Sequence, residues 1–193
     1  MSPDFSVLGI SSNQFPNPYK KPQKAGTLLV VGSGRSVWQD LEKVGGSFDV
    51  MCVNDIIMHY PGEIQYAYSN DAHWLPKWVN ARRPRYVMEQ GKPSLHSCNQ
   101  GSGITQWPFP GHGTSGLNAV YVGLGMGYDE IILCGIPMDG SGHYFDPPHT
   151  TTNYTPGIRF WTNVKKIHPR VYSVSGNTKD LLGEPPQMRL RVV

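Results

Sequence analysis

The chain has 193 residues, a formal charge of +3 and a sequence pI near 8.7, with 38% hydrophobic and 16% charged residues. That length accommodates one domain with a sizeable core, and no apolar run reaches the roughly 20 residues of a membrane span. The mild basic excess suits a phosphorylated ligand and is too weak to argue for nucleic acid. The first ten residues lack the basic-then-apolar plan of a secretory signal. Three cysteines, widely spaced, form no disulfide framework, so a cytoplasmic protein is expected.

Residues 1–25 hold prolines, polar residues and little periodicity, and are expected to form a flexible or surface-draped arm. From Thr27 the pattern changes. "TLLVVGSG" predicts a first strand and a glycine turn, and "RSVWQDLEKV", with apolar residues at 37, 38, 41 and 44, predicts a helix. "FDVMCVND" and "IQYAYSND" predict the second and third strands, "AHWLPKWVNARR" a helix started or interrupted by Pro76, and "RYVME" a fourth strand. Residues 89–113 read as a loop long enough to be functional, with Cys98 alone in it, whereas Cys52 and Cys134 sit in apolar runs as buried thiols. A helix over Ser115–Met126, a strand "EIILCGI", a loop over 137–156, a helix over 157–167 and a last strand "RVYSVS" complete the chain. Alternating strands and helices predict a parallel sheet covered on both faces.

In such a sheet ligands bind beyond the carboxyl ends of the strands. The polar residues after the strands are Gly32, Ser33 and Gly34, then Asn54 and Asp55, then Ser69, Asn70 and Asp71, then Pro137 to Asp139. "GSGRS" is expected to leave backbone amides free for phosphate, although Val37 replaces the third glycine of a dinucleotide fingerprint and no Walker sequence occurs. In "GTSG", Thr114 or Ser115 caps the following helix, while Gly113 and Gly116 allow close approach of a ligand. Gly123 and Gly125 are expected to serve packing on the sheet, and Gly127 the helix end. The loop "DGSGHYFDPPHT" carries Asp139, His143, Tyr144, Asp146 and His149. Its histidine spacing is not a zinc pattern, so His143 and His149 are better read as general bases. Asp-x-Asp and Gly-x-Ser-x-Gly are both absent, so a nucleotide-sugar enzyme of this sequence would neutralise its leaving phosphate without a carboxylate-held metal.

The segments "LLVVGSGRS", "FDVMCVND", "YAYSND" and "TSGLNAVYVGLGMGYDEIILCGI", in this order, resemble the bacterial lipooligosaccharide sialyltransferases and their sialyltransferase-like relatives. The resemblance covers about 27–175 and is poor over 80–110. It implies a Rossmann-like α/β fold with helices on both faces, a cytidine nucleotide bound on the sheet, and transfer of sialic acid without a metal and with a histidine base. By position, the glycine loop corresponds to Gly32, Ser33 and Gly34, where the family often has asparagine between the glycines. Asn54, Asn70 and Ser115 match the family's nucleotide contacts. Tyr144 fits one of two tyrosines that support the leaving phosphate; the other falls near Met138 or Asp139. His149 takes the place of the catalytic histidine when the loop alignment carries a gap, and residues 140–156 form a shorter version of the family's lid.

These readings predict a single Rossmann-like nucleotide-binding domain over 26–183, with the arm over 1–25 and a tail over 184–193. The expected function is a metal-independent glycosyltransferase using a CMP-sialate-like donor as substrate, with no cofactor. Gly32, Ser33, Gly34, Asn54, Asn70, Thr114, Ser115 and Gly116 would hold the nucleotide, and His149, Tyr144 and His143 would serve catalysis. An acceptor glycan or other hydroxyl compound is the expected second partner, with self-association left open. Two alternatives stand beside it: hydrolysis or pyrophosphate transfer on the same scaffold, and a non-catalytic nucleotide-binding protein.

Overall fold

The apolar runs form the centre of a seven-stranded, all-parallel sheet. The computed structural model describes residues 2–17, 19, 25–82, 91–110, 114–152 and 155–191. Its strands are β1 (Thr27–Val31), β2 (Asp49–Val53), β3 (Tyr66–Tyr68), β4 (Ser94–Ser97), β5 (Thr105–Gln106), β6 (Glu130–Cys134) and β7 (Val171–Ser173), in spatial order β5-β4-β3-β2-β1-β6-β7. Every neighbouring pair is parallel. β1 and β6 are buried along their whole length, because helices cover both faces. Successive strand residues therefore serve opposite cores. Leu28, Val30, Met51 and Val53 face one core with Ile131 and Leu133, whereas Leu29, Val31, Val50 and Cys52 face the other with Ile132 and Cys134.

The helices are α1 (Val37–Lys43), α2 (Leu75–Ala81), α3 (Ser115–Met126), α4 (Val164–Ile167) and α5 (Gly176–Leu182), with 3-10 turns between them. Thr114 caps α3, its hydroxyl accepting from Leu117 N at 3.3 Å. Gly127, at φ 98°, ends α3 in the left-handed region, and Tyr128 N returns to Gly123 O. α3 is buried from Gly116 to Met126 and its glycines mark contact points. A Cβ on Gly123 would meet Leu28 at 2.5 Å, and one on Gly125 would meet Trp107 at 2.7 Å. The helix glycines thus serve packing.

Several segments differ from the sequence reading. The expected loop over 89–113 contains β4 and β5, and Trp107 and Phe109 from it are buried in the core. Cys98 is buried, not in a polar loop, with its Sγ 3.0 Å from Tyr68 Oη. The first residues are packed through Phe5 and Phe15, which meet edge to face at 5.4 Å and touch Phe109. The expected helix over 157–167 is a 3-10 segment, Thr155–Asn163, followed by the short α4, and α5 follows β7 unannounced. The expected strand "RYVME" lies outside the described residues. Among the described residues no helix is long and apolar enough to cross a membrane.

One buried carboxylate fastens the elements around the switch in strand order. Asp40, on α1, is fully buried, and its Oδ2 accepts from Gly135 N at 2.9 Å, Ser36 Oγ at 2.8 Å and Ser175 Oγ at 2.6 Å. It thereby ties α1 to the exits of β6 and β7. Gly135 itself has φ 66°, and a Cβ there would lie 2.4 Å from Gly32 O. The segment leaving β6 can pass this close to the segment leaving β1 only with a glycine at that position.

Two outcomes follow from this packing. Gly123→Ala should lower stability by about 1–2 kcal/mol in urea denaturation, because the overpacking strain exceeds the gain in helix propensity. His96, fully buried on β4, accepts from Trp107 Nε1 at 3.2 Å, and burial pushes its pKa down to about 4. The unfolded chain, with a histidine pKa near 6.5, binds the proton first. The contribution of His96 is therefore complete above about pH 6.5 and is lost as pH falls toward 4, by up to roughly 3 kcal/mol. Denaturation midpoints across that window should fall less steeply in His96→Gln.

Candidate functional site

The strand order reverses between β1 and β6: the chain leaves β1 toward β2, and returns to β1's other side as β6. Loops diverge at such a point and leave a crevice at the carboxyl ends. Here it is a cleft of about 310 Å³. Gly32 to Gly34 and Gly135 to Met138 form its base, Asn54 and Thr114 to Gly116 one wall, and Asp139 to His143 with Thr152 the other. Turns far apart in sequence meet there, and Asn54 and Ser115 line the same cavity.

In the glycine turn three of the amides that the sequence reading left for an anion already have backbone partners. Gly32 N donates to Cys134 O at 2.9 Å, Gly34 N to Gly135 O at 2.8 Å and Arg35 N to Gly142 O at 3.0 Å. Cβ atoms on Gly32 and Gly34 would fall 2.6 Å from Ile136 and 2.5 Å from Pro137 respectively. These glycines let two chain segments touch. Ser33, which occupies the middle of the turn, donates its hydroxyl to Asp55 Oδ1 at 2.7 Å.

Donors for an anion come from the other wall. At the start of α3 the first amides have no acceptor within the helix, and Ser115 and Gly116 stand there on the cleft lining. The positive end of the helix adds to them. Asn54 follows β2 at φ 65°, a left-handed conformation that asparagine tolerates better than most residues. Its Oδ1 accepts from Ser69 Oγ at 2.8 Å, which orients the carboxamide with Nδ2 as the donor toward its remaining surroundings. Thr152, absent from the sequence reading, lines the cleft with its Oγ1 buried and without a protein partner among the described residues.

Asn70 stands just behind this wall and does not line the cleft. Its backbone N donates to Ser115 Oγ at 3.2 Å, and its Oδ1 accepts from Tyr68 Oη at 2.8 Å and Asn118 Nδ2 at 3.1 Å. Burial holds the Tyr68 hydroxyl well above its usual pKa, so it remains a donor. Asn70 therefore braces Ser115.

The loop after β6 is stitched to the glycine turn. Gly34 and His143 form an antiparallel bridge, Tyr144 N donates to Ser33 O at 2.9 Å, and Arg35 donates to Ser141 O at 2.6 Å, Asp146 O at 3.4 Å and Pro147 O at 2.8 Å. This places His143 on the cleft, with its Nδ1 3.0 Å from Asp146 Oδ2 and its ring stacked on Phe145 at 5.1 Å and 3°. The His143 backbone N–H, then its ring, holds the Asp146 carboxyl below the usual range. An ionised Asp146 accepts, so Nδ1 carries the proton and Nε2 is the basic nitrogen. His149 is exposed and does not line the cleft. Tyr144 packs edge-on against Trp38 at 5.4 Å and His59 at 5.8 Å, away from the lining; burial, with the nearby Asp55 charge, pushes its phenol up to about 12. Met138 and Asp139, near which the resemblance would put a second tyrosine, both line the cleft, Met138 at φ 53°. Among the described residues no group of three or more His, Cys, Asp or Glu is placed to hold a metal ion.

No protein-family model matches the chain, and no curated protein sequence matches it. Solved structures do match its fold. The sialyltransferase CstII from Campylobacter jejuni in complex with cytidine-5'-monophosphate superposes with a TM-score of 0.58 at 15% identity, over 87% of this chain and 88% of that one. CST-II in complex with a trisaccharide acceptor and CMP gives 0.57 at 15% identity, over 87% and 89%. The monofunctional alpha-2,3-sialyltransferase Cst-I from the same organism gives 0.61 at 12% identity, over 88% and 83%. At these identities the likeness is one of fold, and the chain shares with these enzymes a single Rossmann-like α/β architecture.

Proposed function

We propose that the chain is a metal-independent glycosyltransferase that takes a nucleotide-activated sugar of the CMP-sialate type. The observation that carries this reading is the convergence, on one cleft at the strand-order switch, of the α3 amide end, Asn54 and the His143–Asp146 pair. The fold neighbours support it, since they are sialyltransferases in complex with CMP and with a trisaccharide acceptor.

Ser115, Gly116, Asn54 and Thr152 would hold the donor phosphate with fixed dipoles, which act strongly in a partly desolvated site. His143 would serve as the base in place of His149, because it lines the cleft and is oriented by Asp146. The acceptor hydroxyl gives its proton to His143 Nε2 as its oxygen bonds to the anomeric carbon. The bond from that carbon to the phosphate oxygen breaks, and its electron pair leaves with the phosphate. Tyr144 would support the loop rather than the phosphate.

Binding and chemistry are tested separately. CMP at 100 times its dissociation constant should stabilise the protein by about 2.7 kcal/mol in thermal unfolding, and Asn54→Ala should weaken that response; absence of a shift with CMP, UMP and AMP alike would remove the nucleotide. With CMP-sialate and lactose, His143→Ala should lower kcat by about 10² or more, and chelator should have no effect. A larger loss in His149→Ala than in His143→Ala would return the base role to His149. Release of free sialic acid at the same rate with and without lactose would make the protein a hydrolase.

A further inference from the structure

A second cavity, of about 490 Å³, shares no lining residue with the donor cleft. Its volume falls within the range of small-molecule sites. Leu29 and Val50, partners in the parallel ladder of β1 and β2, form its apolar floor with Leu41 from α1. Phe48 and Tyr60, both half-buried, add two rings to the lining. Burial pushes the Tyr60 phenol up to about 12, so its hydroxyl stays protonated.

Hydrogen bonds fix the walls of this cavity. The buried Arg82 guanidinium donates to the carbonyls of Ile57, Tyr60 and Gly62, which sets the turn that carries Tyr60 and Glu63. Val44 and Leu190 form an antiparallel bridge, and Arg191 N donates to Lys43 O at 2.8 Å, so the last described residue is held on the lining. Gln65 Oε1 accepts from Val50 N at 2.6 Å, which leaves its Nε2 as a donor. Walls set before a ligand arrives need little ordering when it binds.

Glu63 and Arg191 are the charged groups on this lining, and both are exposed. Among the described residues neither side chain has a hydrogen bond or an ion pair, and the two do not pair with each other. An anion and a cation therefore stand unpaired beside one apolar floor. A ligand with a single charge would answer only one of them. A molecule with an ammonium, a carboxylate and an apolar side chain answers both charges and the floor, and a guanidinium takes a carboxylate through two parallel N–H donors.

We propose that this cavity binds a free α-amino acid with a large apolar side chain, its ammonium on Glu63, its carboxylate on Arg191 and its side chain against Leu29, Val50 and Phe48. The site is separate from the donor cleft, so its occupancy does not depend on the glycosyltransferase reading.

Calorimetric titration of the full chain with L-phenylalanine and L-leucine tests this. Three further probes each remove one feature: N-acetyl-L-phenylalanine lacks the ammonium, L-phenylalaninamide lacks the carboxylate and L-alanine lacks the large apolar side chain. L-Phenylalanine is expected to bind saturably at one site, with the first two probes weakened about fivefold or more and no binding of L-alanine. Glu63→Gln should weaken L-phenylalanine by a similar factor and leave N-acetyl-L-phenylalanine unchanged, and Arg191→Gln should do the same with respect to the amide. Because both side chains lack protein partners, the variants should keep the parental thermal midpoint, which separates lost binding from lost folding. Failure of L-phenylalanine and L-leucine alike to bind overturns the proposal. Equal binding of the three phenylalanine compounds also overturns it, since the cavity would then be unselective for charge. So does L-phenylalanine binding that neither variant weakens, which would put the amino acid elsewhere.

Discussion

The Asp40 carboxylate is the constraint on which the cleft depends. A buried charge is tolerated only when hydrogen bonds replace its water, and here the replacements are Gly135 N, Ser36 Oγ and Ser175 Oγ, all on one oxygen. Each such bond to a charged group is worth roughly 1.5–3 kcal/mol. Their donors belong to the start of α1, the exit of β6 and the exit of β7, three segments that must be brought together where the strand order reverses. Lys43, at 3.8 Å from the other oxygen and largely in solvent, adds little. The carboxylate thus ties together three segments at the point where the loops diverge.

Close approach has a cost in donors. Because Gly32 and Gly34 lie against Gly135 to Pro137, their amides bond across the β1–β6 junction. On the proposed reading the donor phosphate meets the start of α3, where the amides of Ser115 and Gly116 precede the capped Leu117 and have no acceptor within the helix. The first glycine motif therefore joins β1 to β6 while lining the cleft base, and the second brings the start of α3 onto the same cleft. Asn70 and Asn118, linked through one carboxamide oxygen, keep the second in register with β3.

Much of the architecture could be read from residue order because the central strands are continuous apolar runs and α3 is bounded by Thr114 and Gly127, whose roles are local. β4 and β5 escaped notice since "SLHS" and "TQ" carry almost no apolar signal: the residues that β4 buries are the polar His96 and Ser97, and β5 is a two-residue edge strand held by its pairing to β4. α5, "GNTKDLL", is too short and polar for a period to show. Phe5 and Phe15 are isolated aromatics, and nothing near them in sequence tells that their partners are Phe109 and Trp107. The meeting of Asn54 and Ser115 was legible through the rule of strand ends. The pairing of His143 with Asp146 was visible only as two residues in a rich loop, and the choice between His143 and His149 required the bridge to Gly34, a contact across 109 positions that no local pattern encodes. Thr152 gave no signal at all.

That bridge also bears on time. A catalytic imidazole carried by a swinging flap is absent until the flap shuts, and each cycle then includes waits for shutting and reopening. The segment bearing His143 is instead sewn to the β1 exit by main-chain bonds and by the Arg35 guanidinium. Under the role proposed for His143, these bonds hold the imidazole on the cleft lining without a closing movement of its segment.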